Sequence, residues 1–126
     1  MREEVFISGF GGQGIVLAGE ILARAAMLKN FFAVLTKFYG AEVRGGAVSS
    51  GVIISDEEIL FQFVRRPDYL LGLHEKGIRE HAPREAKLIL VDEDLVKELE
   101  IKYDRLIKLP ILKTAERVGS QKVANM

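Results

Sequence analysis

The chain has 126 residues, 48% of them apolar and 29% charged, a globular balance that excludes an intrinsically disordered segment. Eighteen Lys and Arg residues against eighteen Asp and Glu leave no net charge, which excludes the broad basic footprint of a nucleic-acid-binding protein. With no cysteine, the sequence offers no disulfide, thiolate nucleophile, Cys-ligated zinc or protein-held iron–sulfur cluster.

The first residues, MREEVFISGFGGQG, carry charges and then a short apolar stretch that glycines interrupt, a pattern that fails as a signal peptide. Val5, Phe6 and Ile7 make a β-rich run that stops at Ser8 and Gly9. Beyond the glycine cluster the period changes. Ile15, Leu17, Ala18, Ile21, Leu22, Ala25 and Leu28 recur at helical spacing, with Glu20 and Arg24 between them. Residues 15–28 are too short and too often interrupted to span a bilayer, so a cytoplasmic protein is expected. Residues 31–36, FFAVLT, are expected as a second, buried strand of the parallel type, joined to the first by a crossover of βαβ length.

A polar, glycine-rich stretch follows, and Val48, Val52, Ile53 and Ile54 then mark a strand over 47–55. A short apolar run spans 69–73, and a brief helix is expected over 75–81, stopped by Pro83. KLILV, 87–91, ends at Asp92, and 105–109 is one more strand. Pro110 opens a last helix carrying Ile111, Leu112, Ala115 and Val118. Strands alternating with helices predict a single α/β domain over residues 1–126 with a mostly parallel sheet flanked by helices.

Gly9, Gly11 and Gly14 satisfy the spacing of the dinucleotide fingerprint between a strand and a helix. Glycines there permit positive φ and close backbone approach, and the helix N-terminus behind them suits phosphate. The fingerprint also needs an acid about twenty residues on, to hold a ribose. That region reads Thr36-Lys37, and the nearest acid, Glu42, lies in the following loop, so NAD binding is disfavoured. Ile15 and Val16 stand where a phosphate-binding loop needs Lys and Ser or Thr. Two readings remain: a tight packed turn, or a loop that faces a ligand or a partner. Gln13, an amide among four glycines that can donate and accept hydrogen bonds, favours the second.

Arg44 before Gly45 and Gly46 holds a guanidinium where the backbone is bare, fit for a phosphate or carboxylate, although such an arginine taken alone is more often a surface ion pair. Loops at the carboxyl ends of strands gather over one edge of an α/β sheet, so the two loops can share a crevice.

GFGGQGIVLAGEILARAA at 9–26, followed by FYGAEVRGGAVSSGVIIS at 38–55, resembles the gamma subunit of 2-oxoacid:ferredoxin oxidoreductases. RRPDYLLGL, KLILVD and LPILKTAERVGSQKVANM are similar to that family's remaining segments in order and spacing. The resemblance implies a Rossmann-like, cytoplasmic subunit of an enzyme that oxidatively decarboxylates a 2-oxoacid, forms acyl-coenzyme A and passes electrons to ferredoxin. It implies that thiamine diphosphate and iron–sulfur clusters sit in partner subunits, alpha, beta and in some members delta. The gamma subunit, inactive alone, then supports assembly and helps to bind coenzyme A. It carries Gly11, Gly12, Gln13 and Gly14 over onto the family's first loop, and Arg44, Gly45 and Gly46 onto its second, as ligand- or interface-binding residues. No catalytic and no metal-binding residue is carried over. Family members continue beyond the VANM segment, so the chain is expected to be C-terminally incomplete relative to them.

Two other readings stay open at this point: a free-standing Rossmann-like protein binding a nucleotide or phosphorylated ligand, and a paralogue serving an indolepyruvate-type partner. His74 and His81 are expected to be structural or solvated, and Asp92 to cap the short helix that Glu93 and Asp94 begin. Phe38 and Tyr39 are expected in the core rather than against a ligand.

Overall fold

In the computed structural model, which describes residues 1–39, 47–73, 86–96, 106–119 and 124–125, the elements follow the alternation of the sequence. They are β1 (Arg2–Phe10), α1 (Ile15–Leu28), β2 (Phe32–Tyr39), β3 (Ala47–Ser55), β4 (Tyr69–Gly72), β5 (Leu88–Asp92), α2 (Glu93–Val96), β6 (Leu106–Leu109) and α3 (Ile111–Val118). The expected helix at 75–81 lies outside the described residues.

Six strands form one sheet in the order β2-β3-β1-β4-β5-β6. β1, β4, β5 and β6 pair parallel, whereas β3 runs antiparallel to both β1 and β2. Five strands therefore share one direction, and the mostly parallel α/β sheet expected from the sequence is found. One detail differs. β1 and β2 do run parallel across α1, but β3 lies between them, so β2 is an edge strand and half exposed rather than buried. The reason is chain proximity: β3 follows β2 closely enough to return as a hairpin partner, which costs less loop-closure entropy than a distant pairing.

Alternation along β1 divides the core. Val5 and Ile7 face α1 and α3, where they meet Ile15, Leu73 and Ala115, while Phe6 points to the other side with Leu70, Ile89 and Val91. Ile53, Leu70, Leu73 and Ile89 are at most 1% exposed, and each contributes about 2 kcal/mol of hydrophobic stabilisation. Glu4, on the Phe6 side, is buried because its carboxylate is fully used. It accepts N–H bonds from Arg65 at 3.3 Å and Arg66 at 3.1 Å, and the Arg2 guanidinium lies at 2.9 Å. Asp68 in turn accepts the Glu4 N–H at 2.8 Å, so this exchange fastens the irregular segment before β4 to β1.

α1 packs on the sheet at Gly19, where an added Cβ would sit 2.8 Å from both Leu35 Cδ1 and Ser50 Oγ and would push those side chains aside. The buried Ser50 hydroxyl uses that proximity and donates to the Ile15 carbonyl at 2.9 Å.

Asp92 closes the opposite half of the sheet. It caps α2 as expected, with Oδ2 accepting the Asp94 N–H at 3.1 Å. Its Oδ1 also accepts the Leu112 N–H at 3.0 Å, capping α3, whose own N-cap residue, Pro110, has no side-chain bond to offer. One fully buried carboxylate thus serves two helix N-termini. Asp92→Ala leaves both N–H groups without their acceptor, one at half-buried Leu112 and one at exposed Asp94, and is expected to cost about 1–3 kcal/mol, with Asp92→Asn costing less because one acceptor oxygen survives. Urea unfolding checks this, and equal stability of Asp92→Ala and the parent chain would refute the shared cap.

Candidate functional site

The glycine loop leaves β1 at Phe10 and enters α1 at Gly14. Gly12, at φ 91°, and Gly14, at φ 74°, both adopt the left-handed region that side chains resist. Between them Gln13 turns inward. Its Oε1 accepts the Phe10 N–H at 2.7 Å, and its own N–H donates to the Phe10 carbonyl at 3.3 Å. Gly9 makes room for this, because a Cβ there would stand 2.5 Å from Gln13 Oε1. The amide oxygen expected to face a ligand is therefore spent on closing the loop. The amide NH₂ makes no hydrogen bond among the described residues.

Gly11 and Gly12 are exposed at the tip, where an added Cβ at Gly12 meets nothing within 4 Å. Behind them the first turn of α1 has no side-chain cap. The Asn125 side chain lies over Gly14 instead, with Nδ2 2.6 Å from where a Cβ would stand. Ala124 beside it is buried against Ile7 and Ile15. No local pattern in the sequence joins residues 111 positions apart, and the contact exists only because the sheet brings them together.

Phe10 pairs with Ala47 and Tyr39 with Val48, so Tyr39 and Ala47, the described residues on either side of 40–46, stand at the same end of the sheet as the start of the glycine loop. Arg44, Gly45 and Gly46 themselves lie outside the described residues, as do His74 and His81. Phe38 and Tyr39, expected in the core, are exposed at this end of β2, with Phe38 6.5 Å from the Phe6 ring. They surface because β2 is an edge strand.

The charges nearby are structural. Lys37 donates to Glu20 at 2.8 Å, joining β2 to α1. That hydrogen bond holds the Glu20 carboxyl below its ordinary range and the Lys37 ammonium above its own. The depressed carboxyl favours the folded chain above the ordinary carboxylate range, and the benefit fades as acid protonates it. β2 ends in Lys37, Phe38 and Tyr39, without the acid that would hold a ribose. Among the described residues no three His, Asp or Glu side chains gather as metal ligands, and no helix is long and apolar enough to cross a membrane.

An apolar groove of about 740 Å³ lies between β4, β5 and β6 on one side and α3 on the other, lined by Leu71, Leu90, Ile111 and Val118 and ending at Asn125. Among the described residues its polar side chains are Thr114 and Asn125, neither an acid nor a base.

The family described as pyruvate ferredoxin/flavodoxin oxidoreductase matches residues 4–126. The chain is 44% identical, over 95% of its length, to the 2-oxoglutarate synthase subunit KorC of Methanocaldococcus jannaschii, and the match spans 73% of that protein. It is similar in structure to a keto/oxoacid ferredoxin oxidoreductase gamma subunit from Geobacter sulfurreducens, with a TM-score of 0.80 and 38% identity, covering 99% of this chain and 70% of that one. A 2-oxoglutarate:ferredoxin oxidoreductase from Magnetococcus marinus, solved with 2-oxoglutarate, coenzyme A and succinyl-CoA bound, shares the fold at a TM-score of 0.78 and 20% identity, covering 98% of this chain and 22% of that one.

The loop geometry separates two glycines that look alike in sequence. Gly14→Ala must bear both a left-handed backbone and the Asn125 side chain, and is expected to destabilise by about 2 kcal/mol or more. Gly12→Ala bears the backbone strain alone, about 1 kcal/mol. Thermal unfolding of the two variants checks the order, and a Gly12→Ala chain less stable than Gly14→Ala would refute it.

Proposed function

Since the chain belongs to the pyruvate ferredoxin/flavodoxin oxidoreductase family and is a gamma-type subunit of a 2-oxoacid:ferredoxin oxidoreductase, we propose that its two glycine loops form the edge through which it joins the larger subunits and meets coenzyme A. Thiamine diphosphate and the iron–sulfur clusters belong, in this reading, to alpha- and beta-type partners, with a delta-type subunit where one is present and ferredoxin as the electron acceptor. The lack of any cysteine in this chain supports that division. Selection of the 2-oxoacid belongs to the same partners.

The observation that carries the proposal is the register of β3. Pairing Phe10 with Ala47 and Tyr39 with Val48 starts and ends the Arg44-bearing segment next to Gly11 and Gly12. Two bare backbone stretches and a guanidinium contributed to one edge suit the phosphates of coenzyme A. The chain's own contribution is binding: the uncapped first turn of α1 favours negative charge, and Arg44 adds a bidentate donor. Oxidation and acyl transfer take place on groups held elsewhere in the complex. A free-standing nucleotide-binding protein is not favoured, because the ribose-holding acid is missing from β2 and the family match runs nearly end to end.

Two variants of the assembled enzyme test this. Arg44→Ala is expected to raise the KM for coenzyme A about tenfold, or to weaken holoenzyme assembly, by removing one charge-assisted contact. Gln13→Glu keeps an oxygen that accepts the Phe10 N–H but places a negative charge at a buried position of the loop, so it is expected to lower the melting temperature and also raise that KM. Steady-state kinetics with gel filtration measures both effects. Unchanged coenzyme A kinetics in an intact complex would overturn the assignment of the loops.

A further inference from the structure

Helix α1 is apolar on two opposite sides. Ile15, Gly19, Ala23 and Ala26 face the sheet and are buried. At 100° per residue, Leu17, Ile21, Arg24 and Leu28 fall on the opposite side. Leu17 is 52% exposed, Ile21 45% and Leu28 85%. Their spacing of four, three and four residues is that of a coiled-coil seam, which places them in one straight stripe. A helix apolar all round belongs inside an assembly, since a solvent-facing side is normally polar.

Arg24 stands in the middle of this stripe. Among the described residues it makes no ion pair within bonding distance; Glu20, one turn back, attracts it but is hydrogen-bonded to Lys37 at 2.8 Å. A guanidinium flanked by aliphatic side chains would be costly to cover without a carboxylate opposite it.

We infer that the outer face of α1, formed by Leu17, Ile21, Arg24 and Leu28, is the docking stripe for a larger subunit of the oxidoreductase. That subunit lays aliphatic side chains on the stripe and an Asp or Glu carboxylate opposite Arg24. The inference rests on the gamma-subunit reading and extends it from the loops to the helix behind them. Leu17 begins the stripe in the first turn after the glycine loop, so the stripe continues the edge proposed above as an interface. Size argues against a second copy of this chain as the occupant. A 14-residue helix is about 21 Å long, and two such seams together bury a few hundred Å², well short of the roughly 1,200 Å² that stable association needs. A larger partner that covers the helix within a wider surface meets that need.

The test uses the chain co-expressed with the thiamine- and cluster-bearing subunits. Ile21→Glu and Arg24→Glu are expected to weaken co-elution at least about tenfold. Arg24→Lys should retain it, and so should Leu60→Glu, which changes another exposed apolar residue on the segment before β4. All four substitutions alter exposed side chains, so each isolated variant should keep the melting temperature and circular dichroism of the parent. Assembly of Ile21→Glu like the parent would overturn the inference, and so would equal loss in Leu60→Glu. An isolated parent chain that is a dimer, made monomeric by Ile21→Glu with the complex unaffected, would assign the stripe to a second copy and overturn it too. If the parent chain itself joins no such subunits, the gamma-subunit reading fails and takes this inference with it. A parent that assembles beside an unaffected Ile21→Glu sinks the inference alone.

Discussion

The hydrogen-bonded register of β3 is the constraint on which the rest of the molecule depends. Among the described strands β3 alone runs against the others, and its ladders to β1 and β2 extend from Ser55 at one end to Ala47 and Val48 at the other. A slip of one residue along either ladder would turn Ser50 away from α1 and place Gly51 under the helix. In the observed register Ser50 reaches the Ile15 carbonyl and Gly51 lies beneath Val64 on the other face. The same pairing sets the ends of the Arg44-bearing segment beside the glycine loop. The two ladders thus hold the helix, seal the opposite face and bring Tyr39 and Ala47 to the edge where Phe10 ends.

Helix α1 shows how a weakly amphipathic segment is placed. Its sequence does not say which side faces the sheet, since aliphatic residues occupy both. The glycine decides. Gly19 lets α1 pack there without displacing Leu35 and Ser50, and Ser50 fills the contact with a hydrogen bond. The helix then presents Leu17, Ile21 and Leu28 outward, an arrangement that is unfavourable for a monomer in water and sensible for a subunit. Several polar groups in the interior follow the opposite logic and are held by hydrogen bonds. Asp92 caps two helices, Glu4 holds two backbone N–H groups, and the Gln13 side chain accepts from Phe10.

Much of the fold is legible from periodicity. The strand ending in KLILVD, the helix after the glycine cluster and the helix after Pro110 stand in the structure within a residue or two of where their patterns put them. β2 misled for a definite reason. FFAVLT is apolar enough for a buried parallel strand, but strand order depends on which pairing forms, and periodicity carries no information on that. The exposed Phe38 and Tyr39 follow from the same cause. Within the candidate site, the glycines pointed to a loop with left-handed backbone, as found at Gly12 and Gly14. The inward turn of Gln13 was not legible, because a glutamine that binds a ligand and one that closes a turn are the same letters.

By itself, then, the sequence determined the succession of strands and helices, the positions where the backbone must bend through glycine, and the absence of thiol chemistry. These are local properties, set by side-chain period, by φ and by residue type. Tertiary structure alone decided that β3 separates β1 from β2, that Asn125 lies over Gly14 and that Asp92 reaches Leu112. It also decided which of the two apolar faces of α1 remains open to a partner. Each of these is a contact between residues distant in the chain, settled by which burial and hydrogen-bonding pattern the whole sheet satisfies at once.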